Sequence, residues 1–521
     1  MSLTVVSLVV AALFVLPTSY LVGRNLGLGS QLWATVTSVD TLVALWRSVS
    51  LAAAVSASAA VLGTGLAWLT VRSDLPGRRV VRILAPLPLV LPSFVAAAAL
   101  LAAVAPGGLL EWLLGPFGVE RLPEVRGFFG AWLVLTLFTY PYVYLPVAAR
   151  FATLPPSLEE SARLLGRRPG AVFRTVVLPQ SATAIWAGTL LVFLYAISDF
   201  GAVELMRYGA LTREIFQGKL QPSTWLPLAL VLALVALAVV AFERTANRRL
   251  ARTEAVKARR PLQVPLGRWR WPAFAAVVVV IGNAVVGPLL VLGQWAGRGL
   301  ANPAERSRAL ASDVGGLLRP SLTTVALGLA AAVVTVALVL PVAYLTGRYR
   351  SRAASVSNAT VVGGFALPGL VVALALGSLV LGSPLSWLYQ TLPVLIAAYA
   401  VHFGAQAMRA SQVAVTAVPR RLDEAARMLG AGRWRRLRTV DVPLMWPGLV
   451  AGGGLVLLST MKELPATLLL APPGVTTLAT RIWSATESGR LAQVGVASLL
   501  LVALSGTLTW LLVLRRSERF D

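Results

Sequence analysis

Two stretches of the chain, Glu160-Ser-Ala-Arg-Leu-Leu-Gly166 and Glu424-Ala-Ala-Arg-Met-Leu-Gly430, are copies of each other 264 residues apart. The register holds around them, pairing Pro155 with Pro419, Leu158 with Leu422, Arg174 with Arg438, Thr175 with Thr439 and Gly188 with Gly452. Each copy sits in a basic loop between apolar runs and ends on a Leu-Pro or Val-Pro pair, at Pro179 or Pro443. Upstream, a second register of 276 residues pairs Ala67-Trp68-Leu69 with Ala343-Tyr344-Leu345, Arg72 with Arg348, and Leu91-Pro92 with Leu367-Pro368. A repeat of half the chain length constrains the fold to two similar units. The two registers differ by an insertion in one connecting loop, Ala105 to Gly127, against Gly382 to Gln390 in the second half.

Hydrophobic residues make up 57% of the 521 and charged ones only 13%, too few to cover a water-facing surface, so the solvent of most of the chain is lipid. The absence of cysteine excludes disulfides, thiolate metal sites and iron–sulfur clusters, and a single histidine excludes multi-histidine centres. The net charge of +25 lies in short segments between apolar runs, which reads as topology-setting charge and not as a nucleic-acid surface.

A helix needs roughly 20 apolar residues to cross the hydrocarbon core, and twelve such runs can be drawn. In the first half they are Leu3 to Val22, Ser48 to Val71, Ile83 to Val104, Phe128 to Ala149, Ser181 to Ser198 and Trp225 to Phe242. In the second they are Pro272 to Gln294, Ser321 to Thr346, Asn358 to Leu381, Thr391 to Met408, Met445 to Met461 and Ala492 to Leu514. Continuous runs predict helices, because barrel strands would alternate. With both termini cytoplasmic, 32 Lys and Arg fall inside and 14 outside, which places both repeated loops in the cytoplasm. Leu3 to Val22 has neither the basic flank nor the small-residue cleavage site of a signal peptide and reads as a span. The expected division is a first half at 1–243 with its loop at 151–180, a linker at 244–271, and a second half at 272–521 with its loop at 409–444. The stretch from Glu243 to Trp271, with nine basic and two acidic residues, reads as a solvated linker near anionic headgroups.

Each repeated loop reads as two short helices meeting at a glycine. Ser157 and Glu160 have capping-box spacing, which predicts a helix beginning at Ser157, whereas Arg421 stands at the serine's place in the second copy. Ser161-Ala162 and Ala425-Ala426 offer small residues for close approach, and Gly166 and Gly430 permit a sharp turn. Glu-Ala-Ala, three residues, then Gly, in a cytoplasmic loop ending on a Leu-Pro-like pair, resembles the coupling loop of binding-protein-dependent ABC importer permeases, here present twice in one fused chain. The resemblance runs from about Ser48 to Met206 and from Ser321 to Trp483, and the first copy departs from it only in Ser161, where the family usually has alanine.

That resemblance implies an all-α membrane protein with about 12 transmembrane helices in two homologous six-helix halves, the type I ABC importer permease fold. It also implies coupling residues Glu160, Ser161, Ala162 and Gly166 in the first loop, with Glu424, Ala425, Ala426 and Gly430 in the second. The implied partners are two copies of an ABC ATPase at the loops and an extracytoplasmic solute-binding protein, in a bacterial inner membrane. None of Lys219, Lys257 and Lys462 stands in a phosphate-binding loop, so ATP and Mg2+ are expected on the partner ATPase, with no cofactor on this chain. No nucleophile–base set or metal-ligand cluster is evident, so no catalytic or metal site is expected.

The fifth span of each half ends in a polar cluster, Ser198-Asp199-Phe200-Gly201 and Lys462-Glu463-Leu464-Pro465. Asp199 and Glu463 are equivalent, which suggests two carboxylates facing a shared axis at the outer mouth; the plainer reading is a pair of solvated helix ends. Ser198, Asp199, Lys462 and Glu463 are the candidate substrate-path residues. These clusters are similar to the ferric-iron branch of fused permeases, whose relatives carry thiamine, aminophosphonates or polyamines. His402, opposite Phe138 in the repeat, reads as a packed or hydrogen-bonded histidine, with a proton relay as the sharper alternative. Pro92 and Pro368 are expected to kink the third span of each half. An ion-coupled secondary carrier, the reading from another class, would place acidic groups deep in the spans, and none falls there.

Overall fold

The computed structural model describes residues 3–118, 123, 125–250, 262–301, 315–349, 351–364, 367–509 and 511. The linker core at 251–261 and the end of the last expected span beyond 511 lie outside the described residues. Among the described residues there is no β-strand, only a lone bridge between Ser73 and Val264.

Nine helices among the described residues are long and apolar enough to cross a membrane. In the first half these are Leu3–Leu26, Val39–Arg72, Gly127–Thr153, Pro169–Ser198 and Pro222–Phe242. In the second they are Gly267–Ala301, Gly316–Arg348, Leu437–Met461 and Leu491–Leu508. The third expected span, Ile83 to Val104, is not one helix: Arg78–Val90 and Ser93–Val104 meet at a bend of 98°. The reason is local. Pro92 lacks an amide hydrogen and is held extended at ψ 148°, so the helical ladder stops at Val90 and restarts at Ser93. The second half repeats the device, with Pro368 extended at ψ 143° ahead of Gly369–Leu381. The tenth expected span ends later than its apolar run, because Leu392–Ala417 carries Arg409 and Gln412 well inside the helix.

The helices gather into two compact units that do not follow chain order: residues 1–35, 218–233 and 296–521 in one, and 36–217 with 234–295 in the other. In the first unit Leu3–Leu26 therefore packs on helices of the second repeat. Phe14, 1% exposed, fills the space left by Gly364 and Gly404, where a β-carbon on Gly404 would overlap its ring. Asn25 donates to Leu21 O at 2.8 Å and Leu226 O at 3.0 Å, which ties the helix end in place. In the second unit Trp295 Nε1 donates to Ala102 O at 3.1 Å, holding the first helix of the second repeat against the first repeat. The end of the linker is bound to protein and not merely solvated. Val264 N–H donates to Arg72 O at 2.8 Å and Leu266 N–H to the Asp74 carboxylate at 2.8 Å.

Candidate functional site

In the first repeated loop the chain runs extended through Pro155, and Pro156 at the first helical position starts the helix Pro156–Leu164. The capping box expected at Ser157 and Glu160 does not form: the helix starts one residue early on Pro156, so Ser157 is already inside it and no side-chain cap is made. Gly166 then stops the helix at φ +78°, its N–H donating to Arg163 O at 2.9 Å while Arg167 N–H donates to Ala162 O at 3.2 Å. This pair of bonds satisfies the last helical carbonyls and requires a left-handed residue, for which glycine is suited. A short helix Pro169–Val172 and a wide π turn Phe173–Val177 lead into Leu178–Ser198.

The second loop repeats this backbone nearly bond for bond. Arg420–Met428 ends at Gly430 with φ +73°, Gly430 N–H donates to Arg427 O at 2.9 Å and Ala431 N–H to Ala426 O at 3.0 Å. Arg433–Arg436 and the π turn Leu437–Asp441 follow, then Val442–Met461. In the first loop Glu160 and Ser161 are exposed and Ala162 is buried; in the second Glu424 and Ala425 are exposed and Ala426 is half-buried. A carboxylate and a small side chain therefore face outward in both.

Sequence reading missed the bare apolar side chains of these loops. Leu164 and Leu165 are 89% and 81% exposed, and their equivalents Met428 and Leu429 are 89% and 87% exposed. Large apolar side chains held at a glycine turn and left bare are the kind of exposed patch that suits contact with a partner protein or a membrane. The repeat itself carries the signal, since both copies keep an apolar pair just before the glycine in an otherwise basic loop.

The candidate path residues fall in a second repeated arrangement. Asp199 is 8% exposed, so it is not a solvated helix end. Its carboxylate accepts from Ser93 Oγ at 2.5 Å and from Ala202 N–H at 2.9 Å, capping the short helix Gly201–Leu205. Glu463, half-buried, accepts from Ala466 N–H at 3.3 Å ahead of Pro465–Leu470. Gly369 stands in the second half where Ser93 stands in the first. A β-carbon there would lie 2.7 Å from Glu463 Oε1 and 3.2 Å from His402 Nε2, so the longer carboxylate occupies the room that serine would take. The His402 ring packs 4.6 Å from that of Phe403, and its Nε2 and the Glu463 carboxylate converge on Gly369. Ser198 and Lys462 are half-buried beside the two carboxylates. The next helix in each half, Leu211–Gln217 and Leu478–Glu487, is pinned alike: Leu211 N–H donates to Ser48 Oγ at 2.7 Å and Leu478 N–H to Thr324 Oγ1 at 2.9 Å, with Ser48 and Thr324 equivalent in the repeat.

A sequence model described as the binding-protein-dependent transport system inner membrane component matches residues 59–252 and again residues 339–519. The chain is 28% identical over 478 residues to the Fe(3+)-transport system permease protein FbpB 2 of Haemophilus influenzae, covering 90% of this chain and 89% of that protein. It is 34% identical over 210 residues to a probable molybdenum ABC transporter permease of Haloferax volcanii, covering 40% of this chain and 74% of the relative. It is 32% identical over 197 residues to the sulfate transport system permease protein CysT of Salmonella typhimurium, covering 38% of this chain and 70% of the relative. One-half matches of this kind, a two-half match to the iron permease, two copies of the family unit and paired glycine-turned loops agree with one another. The chain belongs to the binding-protein-dependent transport system inner membrane components, as a fused two-half permease of an ABC importer, a multi-pass inner-membrane protein.

Proposed function

We propose that this permease imports ferric iron, free or carried with an anion, delivered by an extracytoplasmic binding protein. Two copies of a separate ATPase bind ATP and Mg2+ and drive it from the cytoplasmic face, where the excess of Lys and Arg puts both termini and both loops. The observation that carries the importer reading is the pair of loops with the same glycine turn and the same bare apolar pair. For iron, the support is the likeness along both halves to a permease named for Fe(3+) transport. Oxygen ligands suit such a cation, and Ser198, Asp199 and Glu463 are the oxygen-bearing residues we assign to its path, with Lys462 available to an accompanying anion. The one-half likenesses to permeases named for molybdenum and sulfate favour a second reading, an oxyanion as cargo.

ATP closure of the partner pair draws the loops together and favours the outward-facing state, which takes cargo from the binding protein; the partners supply the difference in binding between states. Purified alone, the chain neither binds nor hydrolyses ATP. Reconstituted with its ATPase and binding protein, it is expected to take up labelled ferric iron only with ATP. The double variant Asp199→Asn, Glu463→Gln should slow that uptake. Uptake of molybdate or sulfate without response to iron would replace the cargo and leave the importer in place, whereas ATP hydrolysis by the pure chain would overturn the division of labour.

A further inference from the structure

Glu159 and Glu160 are neighbours with opposite fates. Glu160 faces out of the first loop, while Glu159 is turned inward, 4% exposed, and ion-paired with Arg72 Nη1 at the very end of the Val39–Arg72 helix. Arg72 is itself 1% exposed, and its Nε donates to Phe151 O at 3.1 Å, the last turn of the helix that leads into the loop. Its carbonyl accepts the linker's Val264 N–H at 2.8 Å. One buried residue thus touches the second span, the fourth span, the linker and the loop helix Pro156–Leu164.

The equivalent arginine of the second half, Arg348, lies near a carboxylate of the π turn. Arg348 lies 3.7 Å from the carboxylate of Asp441, which is 2% exposed and belongs to the π turn Leu437–Asp441 after the loop helix. Tyr344 Oη donates to the same carboxylate at 3.0 Å, and Arg348 stands over the Tyr344 ring at 5.9 Å. In the first half Val177 occupies the place of Asp441, and Trp68, the counterpart of Tyr344, packs edge-on against Phe173 at 5.9 Å.

We infer that Arg72 and Glu159 form a clamp that makes the first loop helix move as one body with the second span. The first loop helix is seized directly by that span, whereas the side chain of Asp423, the repeat equivalent of Glu159, lies outside the described residues. A buried ion pair is a poor source of net stability, since desolvation consumes most of the Coulombic gain. It does define a single geometry, because separating the partners leaves a buried charge uncompensated, and a linkage that must transmit displacement without slack needs that property. The inference rests on the reading of these loops as coupling elements.

The chain has no cysteine, so a nitroxide pair can be placed at exposed Arg79, in the helix Arg78–Leu84 that Arg82 ties to Thr70 O of the second span, and at exposed Arg167 to report the distance between that span's end and the loop. In the full-length protein this distance is expected to be narrowly distributed, and Glu159→Gln to broaden it. With the ATPase and ferric-iron-loaded binding protein present, the same variant should continue to hydrolyse ATP while labelled iron taken up per ATP falls by about 5-fold or more, the usual lower range of a coupling interaction. The deciding variant is Glu159→Gln with Val177→Asp, which returns a carboxylate to Arg72 at the position Asp441 holds in the second half but leaves the loop helix untied. A broad distribution and low uptake per ATP in that double variant support the clamp. A narrow distribution in Glu159→Gln alone, or recovery of both readouts in the double variant, overturns it, because Arg72 would then need only a counter-charge. Failure of the unaltered chain to bind the ATPase would refute the coupling reading instead, with the spin-label distances still deciding the clamp.

Discussion

Gly166 and Gly430 provide the sharpest test of how the loops work. Both have positive φ, +78° and +73°, and a β-carbon built on either meets nothing within 4 Å. A substitution there has no steric neighbour in the chain, and its cost is that of the backbone conformation alone. Forcing an ordinary residue into the left-handed region costs roughly 1–2 kcal/mol, more for a β-branched side chain, whereas asparagine adopts it with little strain. The conformers that relieve the strain must break the Gly166 N–H to Arg163 O and Arg167 N–H to Ala162 O bonds, which re-aims Leu164 and Leu165. A shift of about 1–2 kcal/mol lowers the population of the docking-competent turn by a factor of roughly 5–30. The expected order of cargo moved per ATP is therefore glycine, then asparagine, then alanine, then valine, at either position. Purified variants in vesicles with the ATPase, scored for labelled iron uptake against phosphate released, provide the measurement. Equal coupling in Gly166→Val and the unaltered chain refutes the argument outright. Asparagine as damaging as valine refutes it differently, by showing that the partner's surface and not the backbone angle excludes a side chain.

Changing Leu164 and Leu165 together to alanine should weaken association with the ATPase by tenfold or more, since burying one leucine contributes about 1.5–3 kcal/mol; unchanged affinity in a binding titration would show that these side chains stay bare in the complex. Gly404→Leu is expected to displace Phe14 and lower the Tm of the purified protein, overpacking of a close contact costing typically about 1–3 kcal/mol; an unaltered Tm would mean that Leu3–Leu26 contributes nothing to its unit. A single cysteine at Ala255 should react with impermeant thiol reagents only from the cytoplasmic side, and labelling of intact cells from outside would invert the topology.

By itself the sequence determined whatever depends on local composition and on the repeat. The bilayer as solvent, most of the spans, the two repeated loops and the glycines that end their helices follow from apolar run length and from the left-handed turn that Gly166 and Gly430 supply. Local reading failed where two local signals competed, Pro156 at the helix start overriding the capping box of Ser157, and the kink expected at Pro92 proved to be a full break into two helices at 98°. The exposed pair Leu164 and Leu165 was legible in principle, because the repeat preserves it as Met428 and Leu429.

Only the tertiary structure decided which residues meet across long separations. Leu3–Leu26 belongs in space with the second repeat because Phe14 fits the gap at Gly404, a complementarity that no hydropathy pattern encodes. Ser93 and Asp199 meet across 106 residues and Arg72 and Glu159 across 87, and only packing distinguishes the buried, partnered Glu159 from the exposed Glu160 beside it. Within Glu159-Glu160 the two carboxylates are chemically identical. The helix periodicity of 3.6 residues points one inward to Arg72 and the other outward, and where inward lies is fixed by the Val39–Arg72 helix on which the loop rests.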